Sequence, residues 1–199
     1  MKVIVIGGTG TIGSAVVRLL SGKHEVVPVG HTRGDYRVDL ASADTLRKLF
    51  QTIGAYDAVV CAAGLAKFAP FKDLTEADFH LGLMNKLMGQ VNVVRMGLPL
   101  IAKGGSFTLT SGVLAAEPMP GSAAISPANA GIEGFVRAAA LELTDGVRVN
   151  VVSPPWVKET LEAMGMDSSP GLPAADVAKA YAASVEGKMS GEVMDARKT

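Results

Sequence analysis

Unbroken apolar runs punctuate the chain: KVIVIG (2–7), EVVPVG (25–30), DAVVCAAG (57–64), SFTLTS (106–111) and VRVNVVS (147–153). A strand with one wet face alternates with period two, whereas a run without alternation is what a parallel strand covered on both faces requires. Between the runs the period changes to that of a helix. Ile12, Val16, Val17 and Leu20 share one face of a first segment, and Leu46, Leu49, Phe50 and Ile53 share one face of a second. TEAD (75–78) is a capping box, in which Thr75 and Asp78 satisfy free amides at the start of a helix that the pattern carries to residue 103. SPANAGIEGFVRAAALEL (126–143) predicts the next helix, with Ser126 as its cap and Pro127 in the first turn, where a missing N–H does no harm. Pro173 opens a last helix running to Ser184, and GEVMDA (191–196) predicts a closing edge strand. Strands and helices alternating in this way predict an α/β fold: a Rossmann-type, doubly wound, mostly parallel sheet in a single domain over residues 1–199.

One connection breaks the alternation. Only residues 31–35 separate EVVPVG from YRVDL (36–40), whereas a parallel crossover takes about a dozen residues or more. One crossover helix is therefore missing after the second strand, and residues 36–39 are expected as a stub or a hairpin edge.

Composition narrows the function classes. With 199 residues, 48% of them hydrophobic, the chain can bury one full core. Nineteen basic residues balance nineteen acidic ones, which argues against nucleic acid and membrane surfaces as partners and for a small-molecule pocket. The single cysteine, Cys61, lies inside an apolar run and reads as a buried structural thiol, which suits the cytoplasm. The N-terminal apolar run is too short for a signal segment, and no run reaches the ~20 apolar residues of a spanning helix. No cluster of His, Cys and Asp has metal-ligand spacing, so no metal is expected.

GGTGTIG (7–13) follows the first strand directly and opens the first helix. Its Gly7, Gly10 and Gly13 give the tight turn, the bare amides that a pyrophosphate approaches, and a helix N-terminus with partial positive charge. Thr9, Thr11 and Ile12 complete the expected dinucleotide loop. The end of the second strand then separates the two nicotinamide dinucleotides, because an acid there holds the adenosine ribose of NAD whereas a cation holds the 2′-phosphate of NADP. Here the strand runs into His31, Thr32 and Arg33, with no carboxylate before Asp35, so NADP(H) is favoured over NAD(H). Asp39 is expected at the adenine edge.

In these segments and their order the chain resembles the short-chain dehydrogenase/reductase family over essentially its whole length. CAAG (61–64) is similar to the family's N-N-A-G strand end, which implies cofactor contacts at Ala62, Ala63 and Gly64. NKLMGQVNVVRMGLPLI (85–101) resembles the helix with the active-site asparagine, giving that role to Asn85, and GSFTLTSG (105–112) resembles the strand with the catalytic serine, giving that role to Ser111. AGIEGFVRAAALELTDGVRVNVVSPP (130–155) resembles the family's A-G-x-x-G-F segment through its R-V-N-x-V-x-P-G turn, with Pro155 in place of the last glycine. Through that turn the resemblance implies cofactor contacts at Pro154 and Val157, and at Thr160 on the nicotinamide amide.

The same resemblance exposes a loss. The family's Y-x-x-x-K ends immediately before the A-G that stands here at 130–131, which puts Ile125 at the tyrosine position and Asn129 at the lysine position. The chain's three tyrosines, Tyr36, Tyr56 and Tyr181, are followed four residues later by Leu40, Val60 and Val185, so the motif has not slid elsewhere. Carbonyl reduction needs a proton as well as a hydride, and Ile125 supplies none, whereas Asn129 keeps a hydrogen bond for the nicotinamide ribose. Substitute donors include Ser111, Ser122 and Ser126 through water, and Lys86 or Lys67, although Ser126 reads as a cap and Lys86 as a solvated helix face; His24 and His80 read as surface residues.

Substrate is expected beyond the carboxyl ends of the strands, against 62–68, 111–119 and 154–166. The segment 156–172, with Trp156, Leu161, Met164 and Met166, reads equally as a lid over that region and as a plain amphipathic helix. Helices at 75–103 and 127–144 would form the family's dimer surface, implying a homodimer or homotetramer. Two functions compete on these residues: an NADP(H)-dependent oxidoreductase acting on a carbonyl or alcohol with non-standard proton chemistry, and a catalytically idle NADP(H)-binding sensor or scaffold.

Overall fold

The computed structural model, which describes residues 1–199, places the apolar runs side by side in one sheet. The strands are β1 (Lys2–Ile6), β2 (Glu25–Gly30), β3 (Tyr36–Arg37), β4 (Tyr56–Cys61), β5 (Ile101–Thr110), β6 (Arg148–Ser153) and β7 (Val193–Asp195). They run in the order β3-β2-β1-β4-β5-β6-β7, and every pairing is parallel. Helices α1 (Thr11–Leu20), α2 (Ala43–Ile53), α3 (Glu76–His80), α4 (Met88–Gly97), α5 (Ser126–Ala139), α6 (Lys158–Ala163) and α7 (Ala174–Glu186) supply the covering layers.

The two cores show why the strand sequences carry no polar gaps. Val3 and Val5 of β1 point toward Val16 and Leu20 of α1 and Val177 and Tyr181 of α7. Their neighbours Ile4 and Ile6 point the other way, toward Leu46 and Phe50 of α2, Val93 of α4 and Ile132 of α5. Each side chain so enclosed contributes about 1.5–3 kcal/mol relative to leaving it in water, so a polar residue on either parity is costly. The expected doubly wound sheet is thereby observed.

Three local expectations need correction. The helix predicted from 75 to 103 is not uniform and ends early: α3 passes into a π-helical stretch, Leu81–Leu87, then α4, then a 3₁₀ turn at Leu98–Leu100 that contains Pro99. β5 starts at Ile101, opposite Tyr56, and its register jumps to Ser106 opposite Ala58, with the excursion carried by Gly104 at φ +73°. Ser126 caps nothing. A turn already precedes α5, with Ile125 N–H and Ser126 N–H both donating to the Ser122 carbonyl at 3.0 and 2.8 Å, and the Ser126 hydroxyl is buried without a partner. Residues 31–35 connect β2 to β3 without a helix, and β3 is a two-residue stub pairing parallel, with Val29 opposite Tyr36, rather than a hairpin edge. The capping box of Thr75 and Asp78 forms in both directions.

The chain leaves β1 toward β2 and returns past it to β4, so connections diverge at the carboxyl ends of β1 and β4. A crevice opens at such a point because no loop crosses it.

Candidate active site

The loop after β1 is built by close backbone approach. Gly7 stands at φ +84°, and a Cβ there would lie 2.7 Å from the Ala62 carbonyl oxygen; a Cβ on Gly13 would lie 2.0 Å from the Gly7 oxygen. Neither position admits a side chain, so α1 starts directly over bare backbone, and its N-cap, Gly10, leaves the first turn without a side-chain cap. Thr11 and Ile12 lie in that first turn, and Ile12 faces the crevice.

Beside the loop is a hollow of about 330 Å³ whose wall includes Gly7, Thr9, Gly10, Gly30, His31, Val38, Leu40 and Asn85, and no carboxylate. Thr32 and Arg33 are exposed in the 31–35 loop next to it, and the Arg33 guanidinium has neither an ion pair nor a hydrogen bond. Asp39 departs from expectation. Val38 and Leu40 face the hollow, whereas the Asp39 carboxylate accepts the Ala41 N–H at 3.0 Å in the turn leading to α2.

A second cavity of about 220 Å³ continues along the same crevice, sharing Ala62, Ala63 and Gly64 with the first. Ile125, Asn129, Pro154, Val157 and Thr160 all line it, together with Val113, Leu114 and Trp156. The Asn129 amide nitrogen donates to the Gly112 carbonyl at 3.5 Å, while its oxygen is buried with no partner. An orphaned acceptor is costly to keep dry, so it marks a place for a ligand donor. With the glycine cradle at the other end of the crevice, it fits a dinucleotide lying across β1 and β4.

The two residues expected to be catalytic are placed differently. The Asn85 side-chain oxygen accepts the Leu65 N–H at 2.8 Å and faces the first hollow, not the second cavity. Its neighbour Lys86 enters the second cavity instead and is only 9% exposed, contrary to a solvated helix face. The Lys86 amine donates to the Ser111 carbonyl at 3.1 Å, and burial lowers its pKa from 10.5 to about 8. The Ser111 hydroxyl donates to Glu133 at 3.0 Å, and Glu133 also pairs with Arg137 at 3.6 Å, so the proton of Ser111 is committed within the wall.

Gln90, one helical turn beyond Lys86 and fully buried, fixes the end of β5. Its amide donates to the Thr110 carbonyl at 2.8 Å and accepts the Thr110 N–H at 2.7 Å. The Thr110 hydroxyl bonds to the Cys61 carbonyl and the Tyr181 hydroxyl, each at 2.6 Å, and burial raises the Tyr181 phenol above its ordinary pKa. The sequence signal for Lys86 was its spacing of four from Gly82 and Gln90, which are buried on the same stripe.

The other sequence candidates lie elsewhere. Ser122 accepts the Met119 N–H at 3.2 Å, Ser126 faces a separate surface hollow, and Lys67 is exposed. His24 pairs with Glu186 and His80 approaches Glu76, both away from the cavities. Trp156 packs edge-on against Phe68 with ring centres 5.3 Å apart, and 156–172 is tied down where Leu172 N–H donates to the Trp156 carbonyl and Lys158 N–H to the Leu172 carbonyl, both at 2.9 Å. No three His, Cys, Asp or Glu side chains are gathered to hold a metal, and no helix is long and apolar enough to cross a membrane.

Comparison with known proteins agrees with this geometry. Residues 12–190 match the family model described as enoyl-(acyl carrier protein) reductase. Hydroxynaphthalene reductase arp2 of Aspergillus fumigatus is 30% identical over 138 residues, covering 67% of this chain and 50% of that protein. The 3-oxoacyl-[acyl-carrier-protein] reductase FabG of Thermotoga maritima is 29% identical over 118 residues, covering 58% of this chain and 48% of that protein. The chain thus spans about half the length of these curated relatives. Among solved structures, the protein lin1944 from Listeria innocua is 36% identical with a TM-score of 0.93 over 98% of each chain. A small-chain dehydrogenase crystallised with NADPH is 27% identical, with a TM-score of 0.86 over 98% of this chain and 95% of that one. A seven-stranded parallel sheet with its crevice at the β1/β4 divergence, and a family model spanning most of the sequence, lead to one assignment: the chain belongs to the short-chain dehydrogenase/reductase family of oxidoreductases.

Proposed function

We propose that the protein is an NADP(H)-dependent oxidoreductase that interconverts a carbonyl compound and its alcohol. The observation that carries this reading is the single crevice joining the glycine cradle to the orphaned Asn129 oxygen. When bound, the nicotinamide cofactor supplies the hydride. Gly7, Thr9, Gly10, Thr11, Ile12 and Gly13 take its paired phosphates, and His31, Thr32 and Arg33 the 2′-phosphate, while Asp39 closes the turn behind Val38 and Leu40. Ala62, Ala63 and Gly64 lie beneath it, and Asn129, Pro154, Val157 and Thr160 hold the nicotinamide half. Ser111 and Asn85 serve this site as supports, one through its carbonyl and the other by fixing the 62–65 loop. The preference for NADP(H) rests on the unpaired Arg33 and the carboxylate-free hollow, and the relative crystallised with NADPH supports it.

Val113, Leu114 and Trp156 give the second cavity an apolar rim, which suits a substrate of low polarity. The same reading makes the protein a cytoplasmic homodimer or homotetramer. Leu81, Leu83, Met84 and Leu98 are exposed on the helical stretch expected to pair copies.

Fluorescence titration with NADPH and NADH tests the cofactor. NADPH is expected to bind more tightly, and Arg33→Ala to weaken it by about tenfold at low salt while leaving NADH unchanged, as befits one exposed charge-assisted contact. Equal loss for both cofactors refutes the role of Arg33, and binding of neither at millimolar concentration refutes the function. Tight binding with no turnover across a panel of carbonyl compounds would favour the sensor reading instead.

A further inference from the structure

The second cavity contains one side chain able to exchange a proton near neutral pH. Ile125 has no proton to give, Asn129 does not titrate, and the Ser111 hydroxyl donates to Glu133. Lys86 remains. Its stem crosses Gly64, where a Cβ would lie 2.7 Å from Lys86 Cγ, so only a glycine leaves it room. Its amine spends one hydrogen bond on the Ser111 carbonyl and keeps two N–H groups unassigned. No carboxylate lines the cavity to neutralise it.

The groups around it do not compete. Cys61, at the end of β4, is held neutral by burial, which raises its thiol to about 12. Glu133 on α5 is engaged by Ser111 and Arg137. Tyr181, on α7, lies behind Thr110 as a neutral phenol.

Given the oxidoreductase reading above, on which this rests, we propose that Lys86 is the proton donor and acceptor of the reaction. In the reductive direction the carbonyl carbon gains a C–H bond from the hydride of the reduced nicotinamide and the C–O π pair moves to oxygen. An N–H bond of the Lys86 ammonium breaks as the O–H bond forms. The products are the alcohol, the oxidised cofactor and a neutral lysine, which water reprotonates at the cavity mouth. In the oxidative direction the neutral amine takes the hydroxyl proton. A lysine titrating near 8 serves both directions, because both of its forms are populated close to neutral pH.

Three measurements test this. Lys86→Met and Lys86→Arg are each expected to bind NADPH within about threefold of the wild type and to lose about 10²–10⁴-fold in carbonyl reduction, the usual contribution of a general acid. Arginine keeps the charge but surrenders no proton, so retention of more than half the rate in Lys86→Arg overturns the proposal, as does an unimpaired Lys86→Met. Wild-type kcat/KM for reduction is expected to fall above pH 8. Competitive acetylation read by peptide mass spectrometry, with exposed Lys103 as reference, needs no substrate. Lys86 is expected to titrate near 8, and lower with NADP⁺ bound than with NADPH. Titration near 10.5, or one indifferent to the cofactor's oxidation state, overturns the proposal. Failure of wild-type protein to bind NADPH overturns the oxidoreductase reading itself and is seen separately.

Discussion

Replacing Lys86 by methionine is expected to stabilise the protein at neutral pH, and the size of the effect follows from the site. Moving the lysine from 10.5 to about 8 means that the folded state carries its ammonium at a cost of ~3 kcal/mol, at about 1.4 kcal/mol per pKa unit. Because the folded pKa is the lower one, the unfolded chain binds the proton more tightly; the full penalty applies below pH 8 and disappears as pH rises toward 10.5. Methionine fills the same stem volume without charge but leaves the Ser111 carbonyl without its donor, which costs about 1 kcal/mol. The net gain at pH 6.5 is therefore about 1–3 kcal/mol. Urea unfolding of both proteins at pH 6.5, 8 and 9.5 reads it, with the gain shrinking at each step. Taking the difference between the two proteins cancels Tyr56 and Tyr181, whose raised pKa values lower the stability of both toward alkaline pH, whereas Cys61, coupled to Lys86, is pushed further up in the variant. A variant less stable than wild type at pH 6.5, or a difference independent of pH, would refute the assignment of a buried, counter-ion-free ammonium.

Two further substitutions probe the frame around the site. Gly13→Ala places a methyl 2.0 Å from the Gly7 carbonyl oxygen, so the loop must open; NADPH affinity by fluorescence is expected to fall more than about 100-fold, while Gly10→Ala, at 3.3 Å from the same oxygen, costs less. Gln90→Met strips partners from both the N–H and the carbonyl of buried Thr110, and a loss of about 2–4 kcal/mol is expected, visible as a melting point lower by roughly 5–12 °C.

The parts of the fold that were legible are those in which composition answers directly to burial. Val3 and Ile4 face opposite cores, so a parallel strand must be apolar at both parities, and the run of residues alone displays it. The glycine loop was legible for the same reason, since Gly7 and Gly13 are required by contacts with their own neighbourhood. The positions of Ile125 and Asn129 followed from the family resemblance, and both reach the cavity wall. Side-chain direction at element ends was not legible. Thr110 turns to Tyr181 on one face and Ser111 to Glu133 on the other, and nothing in TLTSG states that both hydroxyls are engaged. Asp39 reads as a ligand until its turn engages it at Ala41. The step from Asn85 to Lys86 follows the buried stripe of Gly82, Lys86 and Gln90, four residues apart, which carries Lys86 inward and leaves Asn85 beside it.

That shift changes what the loss of the tyrosine means. The family pattern leads one to expect an asparagine from the helix after β4 and a lysine from α5, and this chain supplies the reverse, Lys86 from the first and Asn129 from the second, both in one cavity. A cation's field does not depend on which helix delivers it, so the cavity keeps one charge and one amide. Without a phenol at 125 the charge has no acid to tune, and its own proton faces the substrate. A phenol with an ordinary pKa of ~10 must be brought down to exchange protons near neutrality, whereas burial alone brings Lys86 to about 8. Ile125 assists this by keeping the wall apolar, and a polar residue there would return water to the amine and raise it. The substitution at the tyrosine position and the burial of the lysine are therefore coupled. Ile125→Asn should raise the Lys86 pKa toward 10.5 and move the alkaline limb of the reduction profile with it.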